Sequence, residues 1–448
     1  MPRNHFCLFI VIALFILFTG IIPNAEEVYG RSRLAPAASN SSLQKRALVT
    51  PKTAKQVIVV GGFKADISGY TGQAVQIAVD ALEGRGGIVR LEPGTYQVMT
   101  PIRLTSGISL IGAGRETILR KVDGYSSPFV IDGDYGMLKL TVQDVTGFKP
   151  GMGVMAYDSS NNNGWAVTTA KITAIENNVL YIDNYLVRDY RSDRQGVVSN
   201  ACSLVEAVEA EGVRIADFVV DGNKAKNKDQ LNGCRGGGVY LHKAGRCTVE
   251  GVEVKNFNGD GISWQITEDI TVRNCEVHHC TGLGYHPGTG SDKTTIEGCI
   301  SHHNGADGIF LCWRVQNGSF RNNTTYSNSR HGISIGHKDT DNLFENNRVY
   351  ENAQHGIFFR NENEQNGGNR NTFYKNVIEN NGAKQSGYGF YISGITRDIV
   401  IENNTIRDTG KAFQKGGVYI GKQASNIKID KNQMAGHSLG DVIDDSEK

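Results

Sequence analysis

The sequence predicts an all-β solenoid, a right-handed parallel β-helix, and three observations lead to that prediction. A glycine followed by alternating apolar residues returns every 23 or 24 residues. Each of these segments is followed by a second short apolar run, and an asparagine returns in phase at the ends of those runs. A fixed period of this length, with no segment long enough for a helix, indicates stacked coils of short strands.

The glycine repeat marks the first strand of each coil. The glycines lie 23, 23, 24, 24 and 24 residues apart, at Gly238, Gly261, Gly284, Gly308, Gly332 and Gly356. Because side chains alternate faces along a strand, residues one and three positions after the glycine should point inward. Trp264 and Tyr285 are therefore predicted to lie in the core, and the residues at positions two and four to form an exposed ridge.

The second strand of each coil ends in a polar column. Its members are Asn323, Asn347, Asn376, Asn404 and Asn432. In coils stacked about 4.8 Å apart, each inward asparagine can hydrogen-bond to its neighbours above and below, which predicts an asparagine ladder. Cys275 and Cys299 continue this column and are interpreted as stacked interior thiols, not as a metal site or a disulfide.

The chain divides into six segments by composition and pattern. Residues 1–25, with the apolar run Phe6 to Ile22, are predicted to be a signal peptide, and an uncleaved anchor is the alternative. The protein is therefore expected to be secreted, periplasmic or at the cell surface. The other predicted segments are a linker (26–55), an N-terminal cap with the first coils (56–133), an inserted β-rich module (134–200), the β-helix repeats (201–436) and a polar tail (437–448).

A helix is predicted within the cap, over residues 71–82, where apolar residues follow a helical period. Its expected role is to cover the first coil and so hide an open strand edge.

The charge balance limits the partners of the protein. Lys and Arg number 47 and Asp and Glu 46, so the net charge is +1 and no basic field for nucleic acid is expected. A stiff ridge with aromatic and charged side chains suits an extended polysaccharide. The protein is expected to be a monomer. No cofactor is expected. Calcium stays open as an alternative, although Asp260, Asp307, Asp339 and Glu362 are spread over several coils.

Titratable and aromatic residues concentrate on the ridge between Asp260 and Arg360. The candidate substrate-binding residues are Tyr240, His242, Asp260, Arg314, Lys338, Arg360 and Tyr391.

One stretch of the repeats resembles the catalytic module of secreted mannuronan C5-epimerases, within the pectate lyase-like superfamily of right-handed parallel β-helices. The matching segments are Gly284-Tyr285-His286-Pro287-Gly288, His302-His303-Asn304-Gly305-Ala306-Asp307-Gly308 and Ser329-Arg330-His331-Gly332. Asp307, Arg330 and His331 keep the family pattern. The family's catalytic Tyr, Asp and His fall at Leu283, His286 and Gly288.

The resemblance implies abstraction of the C5 proton of a uronate in an acidic polysaccharide, by an epimerase or a lyase. His286 is the candidate base, and Asp307, Arg330 and His331 complete the candidate catalytic set. Two alternatives stay open. Asp260 and Asp307 could serve an inverting glycoside hydrolase, and the ridge could bind glycan without catalysis.

Overall fold

Three long parallel sheets wind along the chain in a computed structural model that describes residues 56–384 and 386–446. Neighbouring strands of each sheet come from successive coils, which confirms the right-handed parallel β-helix. The predicted signal peptide and linker lie outside the described residues. Within the described part of the chain, the only α-helix is too short to cross a membrane.

Each complete coil contributes one strand to each sheet, in the order first, second, third. The first sheet contains Ile102–Leu104, Val205–Val208, Val239–His242, Ile262–Gln265, Tyr285–Pro287, Ile309–Phe310, Ile333–Ile335, Ile357–Phe359, Gly387–Ile392, Gln414–Ile420 and Gly440–Asp444. The second sheet contains Val57–Gly61, Ile67–Ser68, Gly87–Leu91, Ile108–Ile111, Arg214–Ala216, Thr248–Glu250, Thr271–Arg273, Thr295–Glu297, Ser319–Arg321, Leu343–Glu345, Thr372–Tyr374, Arg397–Glu402 and Ser425–Asp430. The third sheet contains Gly94–Val98, Thr117–Lys121, Val219–Asp221, Glu253–Lys255, Glu276–His278, Ile300–His302, Thr324–Tyr326, Arg348–Tyr350, Val377–Glu379, Thr405–Arg407 and Gln433–Ala435.

The helix Gly72–Leu82 packs against the first strands of the solenoid. Thr71 caps it by accepting a hydrogen bond from the Ala74 N–H at 3.1 Å. Val75, Val79 and Leu82 are fully buried on the face that the helix presents to the core. Four 3-10 turns span Gly114–Glu116, Gly164–Ala166, Ser192–Arg194 and Lys224–Lys226.

A six-stranded antiparallel sheet interrupts the coils between the first and second solenoid turns. Its strands are Ser126–Pro128, Lys139–Thr141, Gly153–Tyr157, Thr168–Glu176, Val179–Ile182 and Val197–Ser199. It has its own apolar core, with Leu180 and Tyr190 fully buried. We call this region the β-module.

The inside of the solenoid is filled by stacked side chains. Phe320, Phe344 and Phe373 stack on one another with ring centroids 4.6 and 4.7 Å apart. Trp264 and Tyr285 are fully buried, as the strand parity predicts. Their polar atoms are satisfied, since Trp264 Nε1 donates to Thr294 Oγ1 at 3.1 Å and the Tyr285 hydroxyl donates to the Cys275 carbonyl at 2.8 Å.

The predicted asparagine ladder is confirmed. Asn347 Oδ1 accepts from both the backbone N–H and the Nδ2 of Asn323, each at 3.0 Å, and the pattern continues to Asn432. Cys299 extends the column, because its backbone N–H donates to Asn323 Oδ1 at 3.0 Å.

Two features differ from the sequence prediction. A second ladder runs parallel to the first through Asn304, Asn328, Asn352 and Asn381. Residues 440–444, within the predicted polar tail, form a strand that pairs with Gln414–Ile420 and ends the first sheet. Val442 and Ile443 are adjacent and lie between Asp441 and Asp444, so the segment shows no strand alternation that the sequence could reveal.

Candidate functional site

At four of the repeat glycines, the side chain of the preceding residue caps the backbone of the next coil. Asp260 Oδ1 accepts a hydrogen bond from the Leu283 N–H, and Asp307 Oδ1 accepts one from the His331 N–H, both at 2.8 Å. These aspartates therefore have a structural role that the turn position explains, independent of any chemistry on the outer face.

Two histidines continue the same column. His331 Nδ1 accepts from the His355 N–H, and His355 Nδ1 accepts from the Tyr388 N–H, both at 3.2 Å. A neutral imidazole has one acceptor nitrogen, so Nε2 of each ring carries the hydrogen. Burial lowers the pKa of His331 to about 2 and that of His355 to about 4. Both rings are therefore neutral hydrogen-bond donors near pH 7.

The outer face of the first sheet is divided into two halves. The covered half contains the strands from Val239–His242 to Tyr285–Pro287, and the open half contains the strands from Ile333–Ile335 to Gln414–Ile420. Residues 228–237, which we call the covering loop, lie over the strands from Val239 to Pro287. Gly233 O accepts from Ser263 Oγ at 2.6 Å, and Arg235 lies 4.9 Å over the Trp165 ring of the β-module. The covered half is thus sealed by the loop, and the module packs against that loop.

Tyr240 and His242 lie in the covered half. The Tyr240 side chain is 5% exposed, and its hydroxyl donates to the Cys234 carbonyl at 2.7 Å. His242 lies between the rings of Tyr240 and Trp165, and burial lowers its pKa to about 4. The expectation that Tyr240 and His242 bind substrate on an exposed ridge is wrong, because the covering loop occupies that space.

His286 is also buried, at 4% exposure. Its Nδ1 lies 2.8 Å from Asp260 Oδ2. Burial alone would lower the pKa of His286, but the hydrogen bond with Asp260 raises it to about 10. A Cβ on Gly233 would lie 1.7 Å from Asp260 Oδ2, so the loop backbone closes directly over the pair. The expectation of His286 as an exposed base is therefore wrong, and Asp260 is likewise withdrawn from the surface.

Asp307 is fully buried at the boundary of the two halves. Its Oδ2 has no hydrogen-bond partner and lies 3.8 Å from Arg330 Nη1. Burial raises the pKa of this carboxyl above its usual range. Hydrolysis by Asp260 and Asp307 would need both carboxyl groups to reach a substrate, and the structure exposes neither.

Arg360 is engaged within the protein. Its guanidinium donates to Asp339 Oδ2 at 3.1 Å and lies 4.6 Å over the Phe310 ring. Burial raises the pKa of Asp339 to about 7. Arg314 and Lys338 are exposed beyond the ends of their strands and do not line the open half.

The open half contains a groove of about 730 Å³. It is lined by Arg330, His331, Gln354, His355, Phe358, Asn361, Tyr391, Ser393, Gly394, Tyr419, Gly421, Lys422 and Gln423. This lining combines an aromatic floor, two neutral imidazole N–H donors and two cationic side chains, and it includes no carboxylate.

The aromatic floor is a continuous stack. The Tyr391 ring lies 4.6 Å from both His355 and Tyr419, and Phe358 lies 4.1 Å from His331. Of the residues singled out from the sequence, Arg330, His331 and Tyr391 come together here. Phe358 and Tyr419 belong to the same outward repeat column, whereas Lys422 carried no signal in the sequence.

No three or more His, Cys, Asp and Glu side chains among residues 56–384 and 386–446 are grouped so that they could hold a metal ion. Asp260, Asp307, Asp339 and Glu362 each have partners within the protein, through His286, His331, Arg360 and His337.

The fold and the groove together define a right-handed β-helix protein with a long outer-face groove. The family model for rhamnogalacturonase A/epimerase, pectate lyase-like proteins matches residues 61–285, just over half of the chain, and the model for the right-handed β-helix region matches residues 237–385. The chain belongs to this pectate lyase-like family.

Solved structures with the same fold include two polysaccharide enzymes. The A-module of mannuronan C-5 epimerase AlgE6 from Azotobacter vinelandii aligns with a TM-score of 0.52 and 17% identity, covering 84% of this chain and 96% of that one. The polygalacturonase from Erwinia carotovora ssp. carotovora aligns with a TM-score of 0.51 and 14% identity, covering 89% and 97%. At this identity the likeness establishes the fold. No curated protein sequence matches the chain.

Proposed function

We propose that this protein acts on an extended, uronate-containing polysaccharide that lies along the open groove. The lining of the groove carries the proposal. Stacked rings match the faces of sugar rings, and Arg330 and Lys422 supply positive charge for carboxylates at two places along the groove. The two neutral Nε2–H groups donate hydrogen bonds to hydroxyl or carboxylate oxygens and add no charge.

The reaction that this lining supports is abstraction of the C5 proton. Neutralisation of the uronate carboxylate by Arg330 and by the imidazole donors stabilises the negative charge that develops when that proton leaves. In elimination, the C5–H electrons form a C4=C5 double bond and the O4 substituent departs. In epimerisation, a proton returns to C5 from the other face.

In this proposal Tyr391, with its hydroxyl deprotonated, accepts the C5 proton, and the Tyr419 hydroxyl donates a proton to the departing O4 or, in epimerisation, to C5. Both imidazole Nδ1 lone pairs already accept backbone N–H groups, so neither His331 nor His355 is a ready base. Burial and, to a smaller extent, a hydrogen bond with Asp445 raise the pKa of Tyr419. Its hydroxyl therefore stays protonated, which suits a proton donor.

A non-catalytic glycan-binding role is the second candidate. It is favoured by the lack of any carboxylate among the lining residues and by the engaged lone pairs of both histidines. Hydrolysis by Asp260 and Asp307 loses support, because both carboxyl groups are buried.

We also propose that the protein is exported, because the apolar segment Phe6 to Ile22 is typical of a signal peptide. Export would bring the protein to polysaccharides outside the cytoplasm.

Time-resolved proton NMR tests the function. The protein is incubated with polymannuronate, alginate, polygalacturonate and a neutral glycan, with and without calcium. Olefinic H4 signals identify a lyase, and changed anomeric signals at constant chain length identify an epimerase. Unchanged spectra together with measurable binding of the acidic polymers leave the binding role, and equal binding of the neutral glycan contradicts the proposal.

The carboxylate contact is tested by Arg330→Gln, with Arg321→Gln as the control. The two arginines are equally exposed, at 47% and 46%, and Arg321 is on the second sheet. Only Arg330→Gln should weaken the binding of acidic polymers, and equal effects of the two changes would place the polymer elsewhere.

A further inference from the structure

Two pairs of adjacent histidines lie at the ends of neighbouring strands of the third sheet, apart from the groove on the first sheet. His278 ends the strand Glu276–His278 and His279 follows it, and His302 and His303 occupy the same places in the next coil. In the flanking coils these places hold Lys255-Asn256 and Tyr326-Ser327. The paired histidines are therefore not part of the general repeat pattern.

Within each pair, the two Nδ1 atoms face each other. The distance from His278 Nδ1 to His279 Nδ1 is 2.8 Å, and the distance from His302 Nδ1 to His303 Nδ1 is also 2.8 Å. The two rings of a pair are nearly perpendicular, at 87° and 89°. Between the coils, each ring stacks on its equivalent, with centroids 4.9 and 5.1 Å apart. The same arrangement of two imidazoles is thus built twice.

A carboxylate fixes the tautomer of one ring in each pair. His278 Nε2 lies 3.4 Å from Glu253 Oε1, and His302 Nε2 lies 3.2 Å from Glu276 Oε1. A carboxylate only accepts hydrogen bonds, so Nε2 carries the hydrogen and Nδ1 of the same ring presents its lone pair to the second histidine. A carboxylate at the far nitrogen is the usual partner of a metal-binding histidine.

The second ring of each pair is free to offer a lone pair as well. His279 and His303 are exposed, so the hydrogen of either ring can move from Nδ1 to Nε2 through solvent, with no net loss of a proton. Both Nδ1 atoms of a pair are then available as ligands.

The distance between the two Nδ1 atoms distinguishes between metal geometries. Two nitrogen ligands about 2.0 Å from a metal are about 2.8 Å apart at a right angle and about 3.3 Å apart in a tetrahedron. The observed 2.8 Å matches the right angle. Among the ions that imidazoles bind, copper(II) prefers the square-planar or tetragonal arrangement, whereas zinc prefers the tetrahedral one.

We propose that each histidine pair binds one copper(II) ion through its two Nδ1 atoms. Within the described part of the chain, no third His, Cys, Asp or Glu side chain joins a pair as a ligand, so water completes the coordination. The two ions would lie about 5 Å apart, the spacing of the coils. Because two dications at that distance repel, the second ion should bind more weakly than the first.

Equilibrium dialysis against copper(II) chloride tests the proposal. The full chain, without a histidine tag, is brought to saturation and the bound copper is counted per chain. His278→Gln should bind one ion fewer than the unsubstituted protein, and the double variant His278→Gln/His302→Gln two fewer. Other groups that bind copper are common to all these proteins, so the difference isolates the histidine pairs.

His337→Gln is the matched control. Like His278, His337 has a ring nitrogen 3.4 Å from a carboxylate oxygen, that of Glu362, and the two histidine side chains are 20% and 17% exposed. His337 stacks on Trp313 and has no second histidine at its Nδ1, so its replacement should leave the copper count unchanged. Equal counts for this control and for the double variant would overturn the proposal.

Electron paramagnetic resonance of the unsubstituted protein gives a readout that does not depend on the folding of any variant. At low copper loading, the spectrum should show hyperfine coupling to two nitrogen ligands. At saturation, dipolar coupling between two ions about 5 Å apart should add a half-field transition. A spectrum of isolated copper ions at every loading, or one without coupling to nitrogen, would contradict the paired sites.

Discussion

The covered and open halves of the first sheet are built from the same repeat and have opposite surfaces. In the covered half, the outward residues Tyr240, Ser263 and His286 are buried under the covering loop. In the open half, the equivalent residues Phe358, Tyr391 and Tyr419 line a groove. The repeat therefore fixes the direction of each side chain, but a loop from another coil decides whether that side chain meets solvent.

The two halves also treat their polar groups differently. The covered half satisfies them internally, as in the Asp260–His286 pair, whereas the imidazole Nε2–H groups of the open half line the groove. A ligand can replace water at these Nε2–H groups of the open half without breaking a hydrogen bond within the protein. The groups available to bind a ligand therefore lie in the part of the first sheet that the covering loop does not reach.

The largest expected effect comes from Gly233→Ala, which should break the covered half. The new Cβ would fall 1.7 Å from Asp260 Oδ2 and 2.6 Å from His286 Nδ1, so the loop or the ion pair must move. We expect the free energy of unfolding to drop by about 3 kcal/mol in urea titrations.

Gly62→Ala is the control, because its nearest side-chain atom would lie at an ordinary 3.4 Å from the new Cβ. Amide hydrogen exchange in residues 228–237 should increase in the Gly233 variant alone. Equal stability of the two variants would mean that the loop does not seal the sheet.

Asp307→Ala should destabilise the boundary between the halves. The His331 N–H would lose its acceptor while staying buried, at a cost of about 2 kcal/mol in the free energy of unfolding. Asp307→Asn keeps an acceptor oxygen at the same place and removes a buried carboxyl, so its stability should stay near that of the unsubstituted protein. If both variants lost equal stability in urea titrations, the capping role of Asp307 would be wrong.

Tyr391→Ala should weaken polymer binding in the open half. The loss of one stacking ring corresponds to about 1 kcal/mol, or roughly a fivefold rise in the Kd for an acidic oligosaccharide by calorimetry. Tyr326→Ala removes a ring that stacks equally well, 5.0 Å from Tyr350, but on the third sheet. A matching loss of affinity in that control would mean that the polymer does not follow the groove.

Much of the fold was predictable because the repeat is local. A fixed glycine spacing and strand parity place Trp264 and Tyr285 in the core, and the phase of the asparagines predicts their ladder. The third strand of each coil was not predicted, because strands such as Glu253–Lys255 follow the second strand after a tight turn. Thr248–Glu250 and Glu253–Lys255 are so close in sequence that the two strands look like one apolar segment.

The site was predictable only in part, for a physical reason. Arg330, His331 and Tyr391 reach the groove as the repeat positions suggest, but His286 and Tyr240 do not. His286 is covered because Gly233 packs on strands that follow it by 30 or more residues. Composition and spacing within one coil carry no information about such a contact.

The smallest effect at neutral pH, and the sharpest contrast between the halves, concerns proton linkage. His355 in the open half has its pKa lowered to about 4 by burial, so below pH 6.5 the unfolded chain binds a proton that the folded chain refuses. Stability should therefore fall as the pH drops from 6.5 towards 4. His286 in the covered half has its pKa raised to about 10 through Asp260, against the effect of burial, so its contribution to stability is complete below pH 6.5 and is lost as the pH rises towards 10.

Urea titrations from pH 4 to 10 on the unsubstituted protein, His355→Gln and His286→Gln isolate each contribution, because the carboxylates are common to all three. His355→Gln should flatten the acid side and His286→Gln the alkaline side, and a profile unchanged on either side would mean that the corresponding histidine titrates alike in the folded and unfolded chains.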